Sequence, residues 1–267
     1  MANRADRVRI AGSHRSLLSL AVISLVAGTA LPARGQVSAE WPIHSMDRPK
    51  PAVVDPGPSR DPVPPPADAV VLFNGHDLSD WRNADTSGAP ARWKVEAGYI
   101  EVVNGTGNIA TTRTFGDAQL HVEWEAPTPP TGEGQERGNS GVFLMGKYEV
   151  QVMDSYDNPT YADGQAAAMF GQYPPLVNAS RPPGQWQTYD IIWHGPRWGP
   201  KGDLRSPARI TVFHNGILVQ DNVTLTGPTA YMRRPPYTHD PDQLPLVLQD
   251  HHSPVRFRDI WIRPLKD

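Results

Sequence analysis

Along most of the chain, apolar and polar residues alternate in short runs separated by Gly, Pro, Asn and Asp, which is the signature of strands and turns. Strands are predicted over 70–73, 93–96, 99–103, 109–112, 119–125, 141–144, 148–153, 188–194, 208–214, 217–220, 246–249 and 255–262. No convincing long helix lies between them. His214-Asn215-Gly216 separates two apolar runs, and Asn-Gly suits a tight hairpin with positive φ at both central residues. Many strands without helical crossovers imply an antiparallel β-sandwich. There is no internal repeat. Trp81, Trp93, Trp124 and Trp261 are expected in the core.

Residues 139–154, NSGVFLMGKYEVQVMD, depart from a plain strand pattern. Side chains alternate faces along a strand, so Glu149 and Gln151 share one face and Val150 and Val152 the other. The apolar face points to a core. The opposite face, carrying a carboxylate and an amide beside the Asn139-Ser140-Gly141 turn, can floor a polar cleft suited to a sugar. Long insertions at 127–138, 155–187 and 195–207 are the expected walls, because long loops on a rigid sandwich commonly carry function.

The N-terminus reads as a secretory signal over residues 1–35. Arg4, Arg7, Arg9 and Arg15 precede the apolar run 17–27, and Ala33-Arg34-Gly35 suits cleavage. The run is shorter than the ~20 apolar residues a spanning helix needs, so no stable membrane span is expected after cleavage. Residues 36–66 hold Pro42, Pro49, Pro51, Pro56, Pro58, Pro62, Pro64, Pro65 and Pro66, and read as a spacer or an arm lying over the domain. A single globular domain spans 67–267. Losing residues 1–35 removes five arginines and one aspartate, which takes the formal net charge from −3 to −7. An acidic exported protein has no electrostatic case for nucleic acid. The absence of cysteine excludes disulfides, thiolate metal sites and a cysteine nucleophile.

The order of motifs resembles a known family. Leu72-Phe73-Asn74-Gly75-His76-Asp77-Leu78-Ser79-Asp80-Trp81 is similar to the opening of the 3-keto-disaccharide hydrolase family, and Trp93-Lys94-Val95-Glu96-Ala97-Gly98-Tyr99-Ile100 to its next hairpin. Asn139-Ser140-Gly141-Val142, the segment Tyr148 to Asp154, Gly184-Gln185-Trp186-Gln187 with Tyr189-Asp190-Ile191-Ile192, and His214-Asn215-Gly216 follow in the family's order. Leu248-Gln249-Asp250-His251 and the segment Val255 to Ile260 complete the match over roughly 70–264. Departures are Ala166-Ala167-Ala168-Met169-Phe170-Gly171 in place of a Gly-Ala-Ile-Tyr-like segment, and His251-His252 in place of a His-Gly pair. The resemblance implies a concanavalin-like jelly-roll sandwich. It also implies cleavage of glycosides already oxidised to a ketone at carbon 3, by 1,2-elimination and hydration or by net hydrolysis. A separate glycoside 3-oxidoreductase would supply that substrate.

A standard glycosidase needs two carboxyl groups about 5–9.5 Å apart. Gln151 cannot ionise, and Asp154 has the wrong parity unless a bulge or strand end turns it inward. A 3-keto sugar relaxes the requirement, because the ketone acidifies the hydrogen on carbon 2 and one base can start the elimination. Glu149 or His194 is expected as that base, with Asp154 and His251 as candidates for the acid or a metal ligand. Asn139, Ser140, Gln151, Gln249, Trp186, Trp198 and Arg256 are the substrate-binding candidates. A hard divalent cation on Glu149 and Asp154 would stabilise an enolate, though no compact ligand motif marks one. Two other function classes fit the residues: a lectin-like carbohydrate-binding domain, and an ordinary glycoside hydrolase with a second carboxylate facing Glu149.

Overall fold

A computed structural model describes residues 41–266, apart from 60, 61, 63 and 86. The predicted signal segment lies outside the described residues. Two antiparallel sheets pack face to face as a concanavalin-like jelly-roll sandwich. The larger sheet has eight strands and runs, from one edge, Ile217–Thr224, Arg209–His214, Gln187–His194, Ala118–Glu125, Arg256–Pro264, Tyr99–Glu101 and Lys94–Glu96, with Val70–Phe73 also paired to Arg256–Pro264. The smaller sheet runs Trp81–Asn83, Ile109–Thr111, Val247–Leu248, Ser140–Leu144 and Tyr148–Val152. Each of the twelve predicted strands has its counterpart. The Asn215-Gly216 turn has positive φ at both residues, 54° and 80°, and closes on the pair His214 and Ile217.

Alternation builds the core. Leu120, Val122 and Trp124 from the larger sheet are buried with Val142, Val150, Val152 and Leu248 from the smaller one. Trp81, Trp93 and Trp124 join this core, whereas Trp261, though buried, lies on the outer face of the larger sheet opposite His121, because the strand register shifts between Arg258 and Trp261. Each fully buried large side chain contributes roughly 1.5–3 kcal/mol relative to exposure. Because side chains alternate, the outer face of each sheet carries the opposite set of residues. On the smaller sheet that outer set is Glu149, Gln151, Gly141 and Phe143, joined by Gln249, whose backbone N–H bonds the Gly141 carbonyl at 3.1 Å.

The 155–187 insertion completes this face. Tyr148–Val152 is an edge strand of its sheet, and the insertion lies along the exposed edge. Gln151 N–H donates to the Ala168 carbonyl at 3.0 Å, Ala167 N–H to Gln151 O at 2.9 Å, and Phe170 N–H to Glu149 O at 3.3 Å. These bonds satisfy the open edge and place Phe170 beside Glu149. The Pro-rich arm lies on the same insertion: Ala52–Val53 pairs in parallel with Val177–Asn178.

Candidate active site

A cleft of ≈ 630 Å³ opens on the outer face of the smaller sheet. Its floor is made of Glu149, Gln151, Phe143, Asn139 and Gln249. Gln135 and Glu136 stand at one side, Tyr161 and Phe170 from the long insertion at another, and Thr229, Ala230, Tyr231 and His251 close it. Cross-strand register sets the floor. Phe143 lies opposite Glu149 and Gly141 opposite Gln151, so all four emerge on one face.

Glu149 is 4% exposed. Burial pushes its carboxyl up to about 8, because an ionised group loses hydration in a low-dielectric site. The carboxyl lies over Gly141, where a Cβ atom would come within 2.6 Å of Glu149 Oε1 and 2.7 Å of the Phe143 ring. Glycine is therefore required there for close approach.

An amide chain of defined direction borders the carboxyl. The Gln135 backbone carbonyl only accepts, so Asn139 must present its Nδ2 there, at 2.8 Å. Asn139 Oδ1 then accepts from Gln151 Nε2 at 3.0 Å, which leaves Gln151 Oε1 buried without a partner. Gln249 Oε1 is also buried and unpartnered. Buried acceptors of this kind cost about 1–3 kcal/mol each when nothing bonds them. Both side chains line the cleft, where turning either oxygen toward the opening would offer it to a sugar hydroxyl. Gln135 also donates to Thr160 Oγ1 at 2.7 Å and to the Gly164 carbonyl at 2.9 Å, which ties the turn after Tyr161 to the floor. Burial, with the nearby Tyr231 phenol and the Asp163 and Glu149 carboxylates, holds the Tyr161 phenol well above its ordinary range.

Of the residues singled out in the sequence, the structure brings Glu149, His251, Asn139, Gln151 and Gln249 into this cleft. It places six others elsewhere. Ser140 donates to the Gln249 carbonyl at 2.6 Å and is fully buried, so it joins strands and does not face the cleft. Asp154 follows the strand end and pairs with Arg137 at 2.8 Å. The Glu149–Asp154 metal pair is therefore not assembled, and no cluster of three metal-ligating side chains occurs among the described residues. His194 points from the outer face of the larger sheet and bonds Asp117 at 2.8 Å. Arg256 bonds Glu101 at 2.7 Å and Glu125 at 3.1 Å on that same face. Trp186 lies under the Arg258 guanidinium at 4.1 Å, and Trp198 packs against Tyr237 and His239.

The insertions at 127–138 and 155–187 supply walls as expected, through Gln135, Glu136, Tyr161 and Phe170, whereas no residue of 195–207 lines the cleft. Sequence reasoning missed Phe143 and Thr229–Tyr231. Phe143 was legible, because it shares parity with Gly141 opposite the Glu149 strand. The 226–245 loop was not, since its turn residues carry no periodicity that marks a wall.

The family described as 3-keto-alpha-glucoside-1,2-lyase-like domains matches residues 68–263. A crystal structure of a candidate glycosyl hydrolase from Parabacteroides distasonis ATCC 8503 is 42% identical, with a TM-score of 0.71, covering 78% of this chain and 94% of that one. Another candidate glycosyl hydrolase from the same organism, 19% identical with a TM-score of 0.53, covers 74% of this chain and 94% of that one, and shares the fold. Comparison with curated proteins gave no match.

Proposed function

The chain belongs to the family of 3-keto-alpha-glucoside-1,2-lyase-like domains, and from that premise we propose that it cleaves the glycosidic bond of 3-keto-glycosides by 1,2-elimination, with hydration completing net hydrolysis. The observation that carries the reading is Glu149: a buried carboxyl on the cleft floor, pushed up to about 8, beside two unpartnered amide oxygens. A carboxyl raised toward the working pH is a stronger base once ionised than an ordinary carboxylate, which suits it to a carbon acid next to a ketone.

In this mechanism Glu149 takes the proton from carbon 2. The C–H electron pair becomes the double bond between carbons 1 and 2, and the oxygen on carbon 1 departs with a proton. Water adding across that double bond then gives the free 3-keto sugar. Two protic groups share the cleft with Glu149, the Tyr161 hydroxyl and the His251 imidazole. One is suited to the ketone oxygen as enolate charge develops, the other to the departing oxygen. Gln151 and Gln249, with their Oε1 atoms turned into the cleft, would accept sugar hydroxyls. The ketone must be installed by a separate glycoside 3-oxidoreductase, and export, inferred from the N-terminal run, belongs to the same proposal.

Glu136, exposed on the cleft rim, favours one competing reading: an ordinary glycosidase with Glu149 as its acid and Glu136 as the second carboxylate. Matched 3-keto and unoxidised glucosides separate the two. The expected result is turnover of the keto substrate alone, with a loss of about 10²–10⁴-fold in E149Q. The wild-type rate should climb as pH rises through about 8, because the base form is the deprotonated one. A rate that falls through that pH, or cleavage of the unoxidised glucoside, would establish the acid role instead.

A further inference from the structure

The first described residues of the chain precede the span that the family covers, yet they pack on residues of the cleft wall. Ile43 and His44 pack on Gly171. Val54 N–H donates to the Asn178 carbonyl at 2.9 Å. Arg181 donates to the Gly57 and Pro58 carbonyls at 3.0 and 3.2 Å. The segment is thus anchored at both ends on the 155–187 insertion.

His44 is the point of closest engagement. One buried carboxylate, Asp163, holds both its backbone N–H, at 3.1 Å, and its ring Nδ1, at 3.3 Å. Its φ of 59° lies in the left-handed region, which a non-glycine residue occupies only where its surroundings fix it. The ring centroid sits 4.1 Å from Tyr161, 4.7 Å from Phe170 and 5.9 Å from Tyr231. All three of those residues line the cleft. Tyr161 is also packed closely on Gly164, where a Cβ would fall 2.1 Å from its ring.

We propose that residues 41–58 are a strap that completes the cleft, and that His44 is its positioning residue, fixing the rings of Tyr161 and Phe170 against the substrate. The strap acts on the site through those two rings and does not touch the reacting atoms. Interplanar angles of 32° and 52° leave the His44 ring tilted against both, a packed arrangement that a smaller side chain would not reproduce.

Three full-length variants test this. H44A removes the ring and its bond to Asp163, leaving the backbone bond in place. H44N keeps a donor for Asp163 without the ring, and H44F keeps a ring without the donor. Loss of wall geometry should raise KM for a 3-keto-glucoside about tenfold in H44A and H44N, with kcat within about threefold and KM near wild type in H44F. A merely structural role would lower the thermal midpoint and the active fraction, and so leave KM unchanged. Unchanged KM in folded H44N, or a KM defect in H44F alone, would overturn the proposal. The kinetic readout rests on the activity proposed above. If wild-type protein turns over no 3-keto-glucoside, that activity fails, and the strap is judged on the calorimetric Kd of the same compound in the same variants.

Discussion

Glu149 is where function and stability oppose each other within one residue. A carboxyl whose folded value is about 8, against an ordinary 4.5, binds its proton more tightly in the native state. Its contribution is therefore neutral below pH 4.5 and grows more destabilising as pH rises toward 8. At pH 7 the cost is at most about 3 kcal/mol. E149Q should accordingly be more stable than wild type at pH 7–8 and no more stable near pH 4. Thermal midpoints measured from pH 4 to 9 check this, and a gap that does not change with pH would show that the carboxyl is not buried as described. Gly141 belongs to the same scale. G141A would push the Glu149 carboxyl or the Phe143 ring aside, so a loss of about tenfold or more in kcat/KM is expected with the fold retained. Wild-type rates in G141A would mean that the carboxyl has another working position. Parity alone put Glu149 and Gln151 on one face in the sequence, because a period of two is fixed by the backbone. The directions of Asp154 and His194 followed from partners far along the chain, Arg137 behind Asp154 and Asp117 beside His194, which no local pattern records.

At the scale of the strand, the outer face of the larger sheet is a charged ladder, and its central rung is His121. The ring bonds Asp190 at 2.7 Å and stacks on Trp261 at 5.2 Å. Burial alone would lower its pKa, but the bonds to Asp190 and Glu123 outweigh it and lift it to about 9. A histidine raised this way contributes stability that is complete below its unfolded value of 6.5 and is lost as pH rises through 9. Asp190 is half exposed, so solvent screening reduces the gain to roughly 1 kcal/mol. H121Q should therefore melt a few degrees below wild type at pH 6 and level with it above about pH 9.5. A deficit that persists at high pH would trace to the Trp261 stack and not to charge. The strands themselves were legible in the sequence, since alternation and Asn-Gly turns are local signals. The short Trp81–Asn83 strand was not, because three residues are too few to show a period. The 155–187 insertion was legible as a cleft wall from its length, but its path was not, because that path follows bonds along the open edge of Tyr148–Val152, a tertiary partner that no window of sequence contains.

Across the whole molecule the sandwich separates two polar faces by a core about 10 Å thick. The cleft lies on the outer face of the smaller sheet, and the ladder of Arg256, Arg258, Glu123 and His121 lies on the outer face of the larger one. Changes on the outer face of the larger sheet should therefore alter stability and leave activity unchanged. Arg258 bonds the buried Glu123 at 2.6 Å, and its removal leaves that carboxylate without its nearest cationic partner. The expected cost is about 1–3 kcal/mol, which in a domain of this size lowers the thermal midpoint by roughly 2–10 °C. Arg256 is more exposed, and its pairs with Glu101 and Glu125 contribute at most about 1 kcal/mol. Neither R258A nor R256A should change KM or kcat on a 3-keto-glucoside at a temperature where both remain folded. Q249A is the converse case. It removes a buried, unpartnered oxygen from the cleft floor, so it should hold or raise the thermal midpoint while raising KM several-fold. The comparison is made on one plate, with melting curves and Michaelis curves for the same three preparations. If R258A shifts KM as much as Q249A does, the two faces are coupled through the core, and the assignment of Arg256 and its neighbours to a purely structural ladder fails.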